Sequence, residues 1–298
     1  ACSGSHGAAK RIHEAGSFGN IEGRKSMKGK KKIPGFLGDL LLLATAVFCV
    51  LPFIYMILMS LKSTVNAYDF SFSLSEATLE QYIKIFTKNN FLQYLTNSVI
   101  VSFGGVALTL LCSCLAGYSF AKLKFRGNDK IFFFLMMTMV VPSEVIIVPL
   151  YLIVRGFDWI NTFRALILPL PTAFGVFIMR QAIIGVPKEL IESAKLDGAG
   201  DMKILWRVIL PLVKSSMMTL AIFTFVGAWN NFIWPLVATT EDSMRTLPLA
   251  ISTMKTAYDS DVGLTMAGAA VTFLPPFIFY LILQSKFEEG ITISGMKG

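Results

Sequence analysis

The fold is decided by an uncharged stretch at residues 91–121, which reads FLQYLTNSVIVSFGGVALTLLCSCLAGYSFA. A helix needs about 20 largely apolar residues to cross the hydrocarbon core of a bilayer, and this stretch is longer than that. The strict alternation of apolar and polar residues that marks a half-buried strand is missing from it. Residues 91–121 therefore predict a transmembrane helix.

The composition of the whole chain predicts the same class. Of its 298 residues, 54% are hydrophobic and 15% are charged, and the mean hydropathy is +0.62. Soluble domains carry about 25% charged residues, and a soluble globule of this size has no interior large enough to hide so much apolar surface. The same numbers exclude disorder, and four cysteines in 298 residues exclude a disulfide scaffold. The chain is predicted to be an integral membrane protein.

Five further stretches are apolar and long enough to cross a membrane. Together the six predicted crossings are residues 36–61, 91–121, 131–153, 163–184, 208–236 and 262–284. Four prolines in these stretches are expected to kink helices, with the freed carbonyls satisfied by neighbouring helices: Pro142, Pro149, Pro275 and Pro276. The predicted fold class is an all-α membrane protein with six transmembrane helices, in a domain at residues 35–288.

The basic residues are distributed unevenly between the two sides of this arrangement. If the N-terminus is cytoplasmic, 20 of the 27 lysines and arginines fall on the cytoplasmic side and 7 fall outside. Cytoplasmic loops are enriched in Lys and Arg, so both termini are predicted to be cytoplasmic. The enrichment of basic residues on the cytoplasmic side also explains the net charge of +8, so no nucleic-acid partner is needed to explain it.

Residues 1–34 form a polar, basic segment before the first predicted helix. They are rich in Gly, Ser and Lys without periodicity, which predicts a disordered cytoplasmic tail. Residues 21–24 read IEGR, a protease-linker sequence, so residues 1–26 are either native or partly added by cloning. A cluster of lysines just before the first helix is expected to contact anionic membrane lipid: Lys28, Lys30, Lys31 and Lys32.

A polar segment, residues 186–207, lies between the fourth and fifth predicted crossings. Pro187 is placed to begin a short helix over residues 188–197, and Gly198 is placed to end it in a left-handed conformation. The segment is either a solvated loop or a docking surface for another protein, formed by the apolar side chains Leu190, Ile191 and Leu196.

The same segment carries a spaced motif. Glu192-Ser193-Ala194 is followed by Gly198 and then by Val208-x-Leu210-Pro211. This resembles the EAA motif of permease subunits in bacterial ABC importers, which reads Glu-Ala-Ala, three residues, Gly, nine residues, Ile-x-Leu-Pro. Ser193 and Val208 depart from the motif by small changes in volume, and the spacing is kept.

Other stretches are similar to maltose-type carbohydrate permeases, across most of residues 35–298. They are residues 139–144 (MVVPSE) with 149–151 (PLY), residues 229–236 (WNNFIWPL), and the C-terminal residues 287–292 and 296–298. The chain resembles the smaller, six-helix permease of such importers. This resemblance implies the type I ABC importer permease architecture, with a cytoplasmic coupling helix in residues 186–207.

The resemblance also implies a function and its partners. The chain would form half of the translocation pathway of an ATP-driven, binding-protein-dependent importer of sugars or oligosaccharides, working by alternating access. The implied partners are a second, homologous permease subunit, two ATPase subunits that bind ATP and Mg, and an extracellular or periplasmic solute-binding protein. The implied location is the bacterial cytoplasmic (inner) membrane.

No catalytic, cofactor or metal site is predicted in this chain. Its sequence contains no Walker-type Gly-rich loop, Ser-His-Asp set or metal-ligand cluster, so ATP hydrolysis is expected in separate subunits. Two alternatives stay open. One is an importer permease for a non-sugar solute, and the other, with less support, is a secondary transporter, for which Glu144 is the one available coupling charge.

The resemblance assigns roles at both cytoplasmic segments. The residues implied to couple the chain to an ATPase subunit are Glu192, Ser193, Ala194, Asp197, Gly198 and Ala199. Glu192 is implied to pair with a basic residue there, and the alternative is a solvated helix face. The C-terminal cytoplasmic tail is residues 289–298, and its residues 290–298 are implied to reach between the two ATPase subunits, with Gly290, Lys297 and Gly298 in them.

Two further groups are candidates for contact with substrate or binding protein. An acid inside the membrane lies on a pathway or in a polar network between helices, and both are open for Glu144. Aromatic and amide groups that suit a sugar occur together in Trp229, Asn230, Asn231 and Trp234, although helix–helix contacts explain them slightly better. The resemblance implies that an outer segment recognises the binding protein, and the alternative is that this segment is a solvated loop. Its residues are Thr253, Met254, Lys255, Thr256, Ala257, Tyr258 and Asp259.

Overall fold

The computed structural model describes residues 35–62, 77–88, 90–257 and 261–295, with the side chains of residues 38–62, 77–87, 90–253 and 261–284. The predicted tail at residues 1–34, including its lysine cluster, lies outside this range. The described residues are mostly helical and contain no β-strand. The helices are α1 (Gly35–Ser60), α2 (Glu80–Lys88), α3 (Phe91–Lys122), α4 (Asn128–Met137), α5 (Ser143–Gly156), α6 (Phe163–Ile167), α7 (Ala173–Ile184), α8 (Lys188–Leu196), α9 (Asp201–Ile204), α10 (Leu210–Leu212), α11 (Lys214–Trp229), α12 (Ile233–Ala238), α13 (Leu247–Ala257) and α14 (Val262–Gly295).

Three of the six predicted crossings are continuous helices. The parts of α1, α3 and α14 that are long and apolar enough to cross a membrane are Gly38–Ser60, Phe91–Lys122 and Val262–Gln284. The chain divides into two units between Leu51 and Pro52. In the first unit, the large apolar side chains of α1 are exposed along its length, as suits a helix surrounded by acyl chains.

The third and fifth crossings were predicted as single helices, and the structure breaks both. Asn128–Val140 and Ser143–Gly156 meet at an angle of 106°, and Asp201–Leu212 and Lys214–Trp229 meet at 82°. The first bend follows from Pro142, which disfavours helical backbone at the preceding residue; Val141 is accordingly extended. The predictions of single helices at residues 131–153 and 208–236 are therefore corrected, because each crossing is a pair of helices joined at a bend.

The first bend also satisfies a backbone carbonyl that Pro142 leaves without its helical hydrogen-bond donor. Pro142 has no N–H, so the carbonyl of Thr138, four residues earlier, loses its usual helical donor. A 3₁₀ turn at Thr138–Val140 supplies a replacement, because the Val141 N–H donates to the Thr138 carbonyl at 3.3 Å. The kink expected at Pro142 is confirmed.

The fourth crossing, residues 163–184, is also interrupted. α6 ends at Ile167 and α7 begins at Ala173, and the connection contains Pro169 and Pro171. The 12 residues of α7 make a helix well short of the roughly 30 Å of hydrocarbon in a bilayer. All six apolar stretches are thus present, and three of them contain breaks.

α3 connects the two ends of the second unit. It contacts α2, α4, α6, α7, α11 and α13 along its length. One cluster of buried apolar side chains joins Cys114 and Tyr118, near its C-terminal end, to α7 and to residues 186–213. A second cluster joins Phe91 and Tyr94, near its N-terminal end, to α11, α13 and α14.

α3 and α7 approach so closely that glycine is required at their contact. A Cβ atom on Gly117 would lie 2.8 Å from the Cβ of Met179 and 2.9 Å from the backbone nitrogen of Arg180. A Cβ atom on Gly175 would overlap the hydroxyl of Ser113. Small residues that let two helix backbones approach are the usual basis of helix packing in membranes.

Gly117→Ala is expected to lower the thermal stability of the purified protein. The added methyl group meets backbone and Cβ atoms that cannot rotate away, and overpacking of this kind costs about 1–3 kcal/mol. Gly156→Ala is the matched control, because no atom lies within 4 Å of its Cβ position. Thermal melting in one detergent compares the two variants, and a Gly117→Ala protein that melts with the wild type would contradict the close approach.

Candidate functional site

The short helix predicted in residues 186–207 is present as α8. Pro187 precedes it, and Gly198 follows it with φ of +77°, in the left-handed region. The Gly198 N–H donates to the Lys195 carbonyl at 3.0 Å, and the Ala199 N–H donates to the Ala194 carbonyl at 2.9 Å. These bonds close the C-terminal end of the helix, so the predicted left-handed cap is confirmed.

Side chains fix this segment to the end of α3. The Tyr118 hydroxyl donates to the Asp201 carboxylate at 3.1 Å, and the Lys122 ammonium donates to the Val186 carbonyl at 2.8 Å. Burial of Ile191 among the residues of α3 and α7 adds an apolar contact. The residues on either side of α8 are therefore bonded to α3, and α8 itself packs against α3 and α7 through Ile191.

The predicted coupling residues lie mainly on the solvent side of α8. Glu192, Ser193, Asp197 and Gly198 are exposed, and Ala194 and Ala199 are half-buried. The Ser193 hydroxyl donates to the Leu190 carbonyl at 3.1 Å. Large apolar side chains are exposed around them: Leu190, Leu196, Met202 and Trp206, with Leu196 at 90%. An exposed apolar surface beside charged groups is typical of a protein-docking site.

Glu192 also borders a cavity of about 550 Å³ between α8, the end of α3 and the start of α4. The charged side chains that line it are Lys122, Lys124, Lys188, Lys195, Asp129 and Glu192. Lysines thus outnumber acids around Glu192. Within the chain, Lys195 pairs instead with Asp201 at 3.6 Å.

A second cavity, of about 770 Å³, lies where three helix breaks meet. Glu144 reaches it from the start of α5, Leu170 and Thr172 from the α6–α7 connection, and residues 230–234 from the α11–α12 connection and the start of α12. The full lining is Ser143, Glu144, Ile146, Ile147, Leu150, Pro169, Leu170, Thr172, Gly227, Asn230, Asn231, Phe232, Ile233 and Trp234. Four of the five predicted pathway candidates therefore border one cavity.

The sequence position of Glu144 suggested the middle of a helix, but the structure does not place it there. It lies exposed in the first turn of α5, directly after the 106° bend. The Ser143 hydroxyl donates to its Oε1 atom at 3.0 Å. The first turn of a helix favours a negative charge, and this hydrogen bond is to the adjacent residue rather than to another helix.

The two amides of the cavity differ in their roles. The Oδ1 atom of Asn231 accepts the Trp234 N–H at 3.3 Å, so Asn231 helps to start α12. Asn230 is exposed at the C-terminal end of α11. With Glu144, Ser143 and Thr172, the amides give the cavity hydrogen-bond donors and acceptors beside apolar side chains, a combination found in small-molecule sites.

Trp229 and Trp234 each use the indole N–H to satisfy a carbonyl that a proline has freed. Trp234 donates to the Ala165 carbonyl at 2.9 Å, and Pro169 stands where the helical donor to that carbonyl would be. Trp229 donates to the Thr272 carbonyl at 3.1 Å, whose helical donor is replaced by Pro276. The expectation that neighbouring helices satisfy such carbonyls is confirmed for Pro276.

Trp229 does not border the cavity. Its side chain is 1% exposed and packs among Phe225, Tyr94 and Leu264. The pathway prediction for Trp229 is corrected to a contact between helices, while the Trp234 ring has both a structural bond and a face on the cavity. In the sequence, a proline four residues after each carbonyl marks that carbonyl as lacking a helical donor, but it does not show which residue supplies one.

Residues 239–246, which precede α13, are held by two asparagines that were not among the predicted site residues. Asn97 is buried in α3, and its amide donates to the carbonyls of Ser243 and Arg245 at 2.8 and 3.0 Å. Asn161 has φ of +58°, and its Oδ1 atom accepts the N–H groups of Thr240 and Glu241 at 2.7 and 3.0 Å. These partners are far apart in the sequence and carry no motif.

The predicted binding-protein loop begins as a helix. Thr253 lies in α13, where its hydroxyl donates to the Ala250 carbonyl at 2.8 Å, and the helical backbone continues through Met254, Lys255, Thr256 and Ala257. Tyr258 and Asp259 lie outside the described residues. At the C-terminus, α14 runs through Gly290 to Gly295, so the boundary predicted at residue 288 falls inside a helix. Lys297 and Gly298 also lie outside the described residues.

Residues 109–293, more than half of the chain, match the family of binding-protein-dependent transport system inner membrane components. The chain belongs to this family. The resemblance found in the EAA-like motif is thereby confirmed, and the protein is a permease of the inner membrane.

Two characterised relatives align with nearly the whole permease. It is 34% identical over 259 residues to the arabinooligosaccharides transport system permease protein AraQ of Halalkalibacterium halodurans, covering 85% of this chain and 93% of that protein. It is 27% identical over 263 residues to the lactose transport system permease protein LacG of Rhizobium radiobacter, covering 88% of this chain and 96% of that protein.

The fold of the permease is similar to that of a chain in a bacterial ABC transporter involved in the import of the acidic polysaccharide alginate. The TM-score is 0.74 at 22% sequence identity, with 85% of this chain and 96% of that chain covered. This likeness agrees with the predicted fold class.

Trp229→Phe is expected to destabilise the permease by about 1–2 kcal/mol, because the Thr272 carbonyl loses its donor inside the helix bundle. Trp206→Phe, at an exposed position, is the control and should melt like the wild type. Thermal unfolding of the purified proteins compares them. Equal stability of all three would show that the Trp229 hydrogen bond does not support α14.

Proposed function

We propose that this permease forms half of the translocation pathway of an ATP-driven importer of sugars or oligosaccharides. The observation that carries the proposal is the cavity at which three helix breaks meet, bordered by Glu144, Asn230, Asn231 and Trp234. Non-helical backbone at membrane depth is tolerated where it lines a cavity or is buried in protein. Discontinuous helices around a polar cavity are a common basis for substrate sites in transporters.

The chemistry of the cavity suits a saccharide. Sugar hydroxyls both donate and accept hydrogen bonds, and the carboxylate of Glu144 and the amides of Asn230 and Asn231 offer acceptors and donors. Phe232 and Trp234 add aromatic surface for the apolar faces of sugar rings. The names of the relatives, which include arabinooligosaccharide and lactose permeases, support the same substrate class.

We further propose that α8 couples the permease to an ATPase subunit on the cytoplasmic side. Glu192 is exposed for a charge-assisted contact, and Leu190 and Leu196 offer apolar surface next to it. Tyr118 and Lys122 of α3 bond to Asp201 and Val186, which flank α8, so rotation of a bound ATPase would also move α3, the helix that packs against much of the bundle. In this proposal the permease binds no cofactor, and ATP and Mg are held by the ATPase subunits.

The proposed assembly contains a second, homologous permease, two ATPase subunits and a periplasmic solute-binding protein. Residues 239–257, continuing to Asp259, are proposed to contact the binding protein. Residues 290–298 are proposed to reach the ATPase subunits. The excess of lysines and arginines on the side of α8 supports cytoplasmic termini in the inner membrane.

Glu144 provides the test of the pathway. Glu144→Gln keeps size and hydrogen bonding, so transport should fall only modestly, whereas Glu144→Leu removes hydrogen bonding and should reduce turnover at least tenfold. Because its side chain is exposed and bonds to the adjacent Ser143, neither change should lower the melting temperature. The measurement is uptake of arabinotriose, lactose and diacetylchitobiose by proteoliposomes that contain the assembled importer.

The melting temperature separates the two interpretations of Glu144. A Leu variant that assembles and melts normally but transports poorly supports the pathway. A Leu variant that melts early would instead place Glu144 in the packing of the bundle, and wild-type uptake of all three sugars by Glu144→Leu would remove the cavity from the pathway.

Glu192→Lys tests the coupling helix. The substitution places a positive charge where a basic ATPase residue is proposed to bind, and like charges across an interface are unfavourable. Transport-coupled ATP hydrolysis should be lost while membrane insertion stays normal. Glu189→Lys, on the same exposed helix and with the same charge change, is the control. Equal ATPase activity of the two variants would argue against a specific role for Glu192.

A further inference from the structure

Helix α2 (Glu80–Lys88) lies outside both proposed functional regions and is fixed to the bundle by one face. Gln81 and Ile85, one turn apart, are fully buried. The Gln81 amide donates to both carboxylate oxygens of Asp261 at 3.2 Å, just before α14, and Ile85 packs in the cluster that contains Phe91 and Trp229. This face determines how α2 is rotated about its axis.

Contacts at the two ends of α2 place it at the membrane surface. The Tyr82 and Ser60 hydroxyls form a hydrogen bond of 2.7 Å, and the rings of Phe86 and Phe91 lie 5.2 Å apart. Ser60 is the last residue of one membrane-crossing helix and Phe91 is the first residue of the next. α2 therefore runs between two points at which the chain leaves and enters the membrane.

The remaining surface of α2 separates into an apolar face and a polar face. The apolar face consists of Leu79, Ile83 and Phe86, which are exposed by 64%, 60% and 50% and recur at the spacing of a helix. The polar face carries Glu80 and Lys84, whose side chains pair at 2.8 Å. The helix thus presents three faces of different chemistry, and the bundle covers one of them.

We propose that α2 is an interfacial anchor whose apolar face inserts among the acyl chains of phospholipids. Its buried face contacts protein and its polar face would contact water. At this depth, lipid is the environment left for its apolar face. Amphipathic helices that lie in the plane of the interface bury their apolar side by about 5–10 Å. The Glu80–Lys84 pair neutralises the polar face, so the anchor does not require anionic lipid.

The anchor lies on the membrane surface opposite the coupling segment. α2 contacts the N-terminal end of α3, while Tyr118 and Lys122 at the other end of α3 bond to residues 186–207. Lipid bound by Leu79, Ile83 and Phe86 would hold the N-terminal end of α3 at a constant depth while α8 moves. The contact with lipid does not depend on which solute is transported.

Spin-label accessibility in the assembled importer tests the anchor. The four cysteines are replaced by Ala, a nitroxide is attached at Ile83→Cys or, on the polar face, at Lys84→Cys, and the complex is reconstituted in phosphatidylcholine vesicles. Power saturation then compares access of oxygen, which concentrates in lipid, with access of a water-soluble nickel chelate. The label at residue 83 should favour oxygen at least threefold more than the label at residue 84.

Two results would overturn the proposal. A label at residue 83 that the nickel chelate reaches as readily as a label at residue 84 would place the apolar face in water. A label at residue 83 that neither reagent reaches would show that a protein, either the second permease or the binding protein, covers it. Leu79→Cys reports on the same face independently, in case Ile83→Cys assembles poorly, and neither reading uses transport activity.

Discussion

A backbone carbonyl or N–H group inside a bilayer must find a hydrogen-bond partner within the protein, because no water is present to supply one. Prolines at 169 and 276 each remove a helical donor and leave the carbonyls of Ala165 and Thr272 to be satisfied. The indoles of Trp234 and Trp229 supply those two donors. These two bonds tie the region around the α11–α12 break to α6 on one side and to α14 on the other.

The same constraint explains where the cavity lies. Each break exposes backbone groups that lipid would leave unsatisfied, so breaks are favourable only if they face protein or a polar cavity. The break before α5, the α6–α7 connection and the α11–α12 connection all border the cavity of about 770 Å³. Glu144 and Asn231 lie at these breaks, and both line the cavity.

α3 joins the residues before α13 at one end to residues 186–207 at the other. It is an unbroken helix from Phe91 to Lys122 and packs closely against α7 at Gly117 and Gly175. Its N-terminal part holds Ser243 and Arg245 through Asn97, and its C-terminal part holds Asp201 and Val186, on either side of α8, through Tyr118 and Lys122. One continuous helix thus joins the segment before α13 to the segment that contains α8.

Features that depend on neighbouring residues were determined by the sequence itself. Hydropathy located six apolar stretches, because burying a charge in lipid is costly wherever it occurs. Pro187 and Gly198 bounded α8, because helix starts and left-handed caps are local conformational preferences. The EAA-like spacing, also local, indicated the family that residues 109–293 match.

Only the tertiary structure decided which polar groups meet. Trp229 and Thr272 are 43 residues apart, and Trp234 and Ala165 are 69 apart, so composition at either position does not indicate the bond. The breaks in three crossings depend on whether neighbouring helices can satisfy the freed carbonyls, which hydropathy does not measure. The convergence of Glu144 with Asn230 and Asn231 follows from the 106° bend before α5 together with the end of α11, and it is set by packing between distant helices.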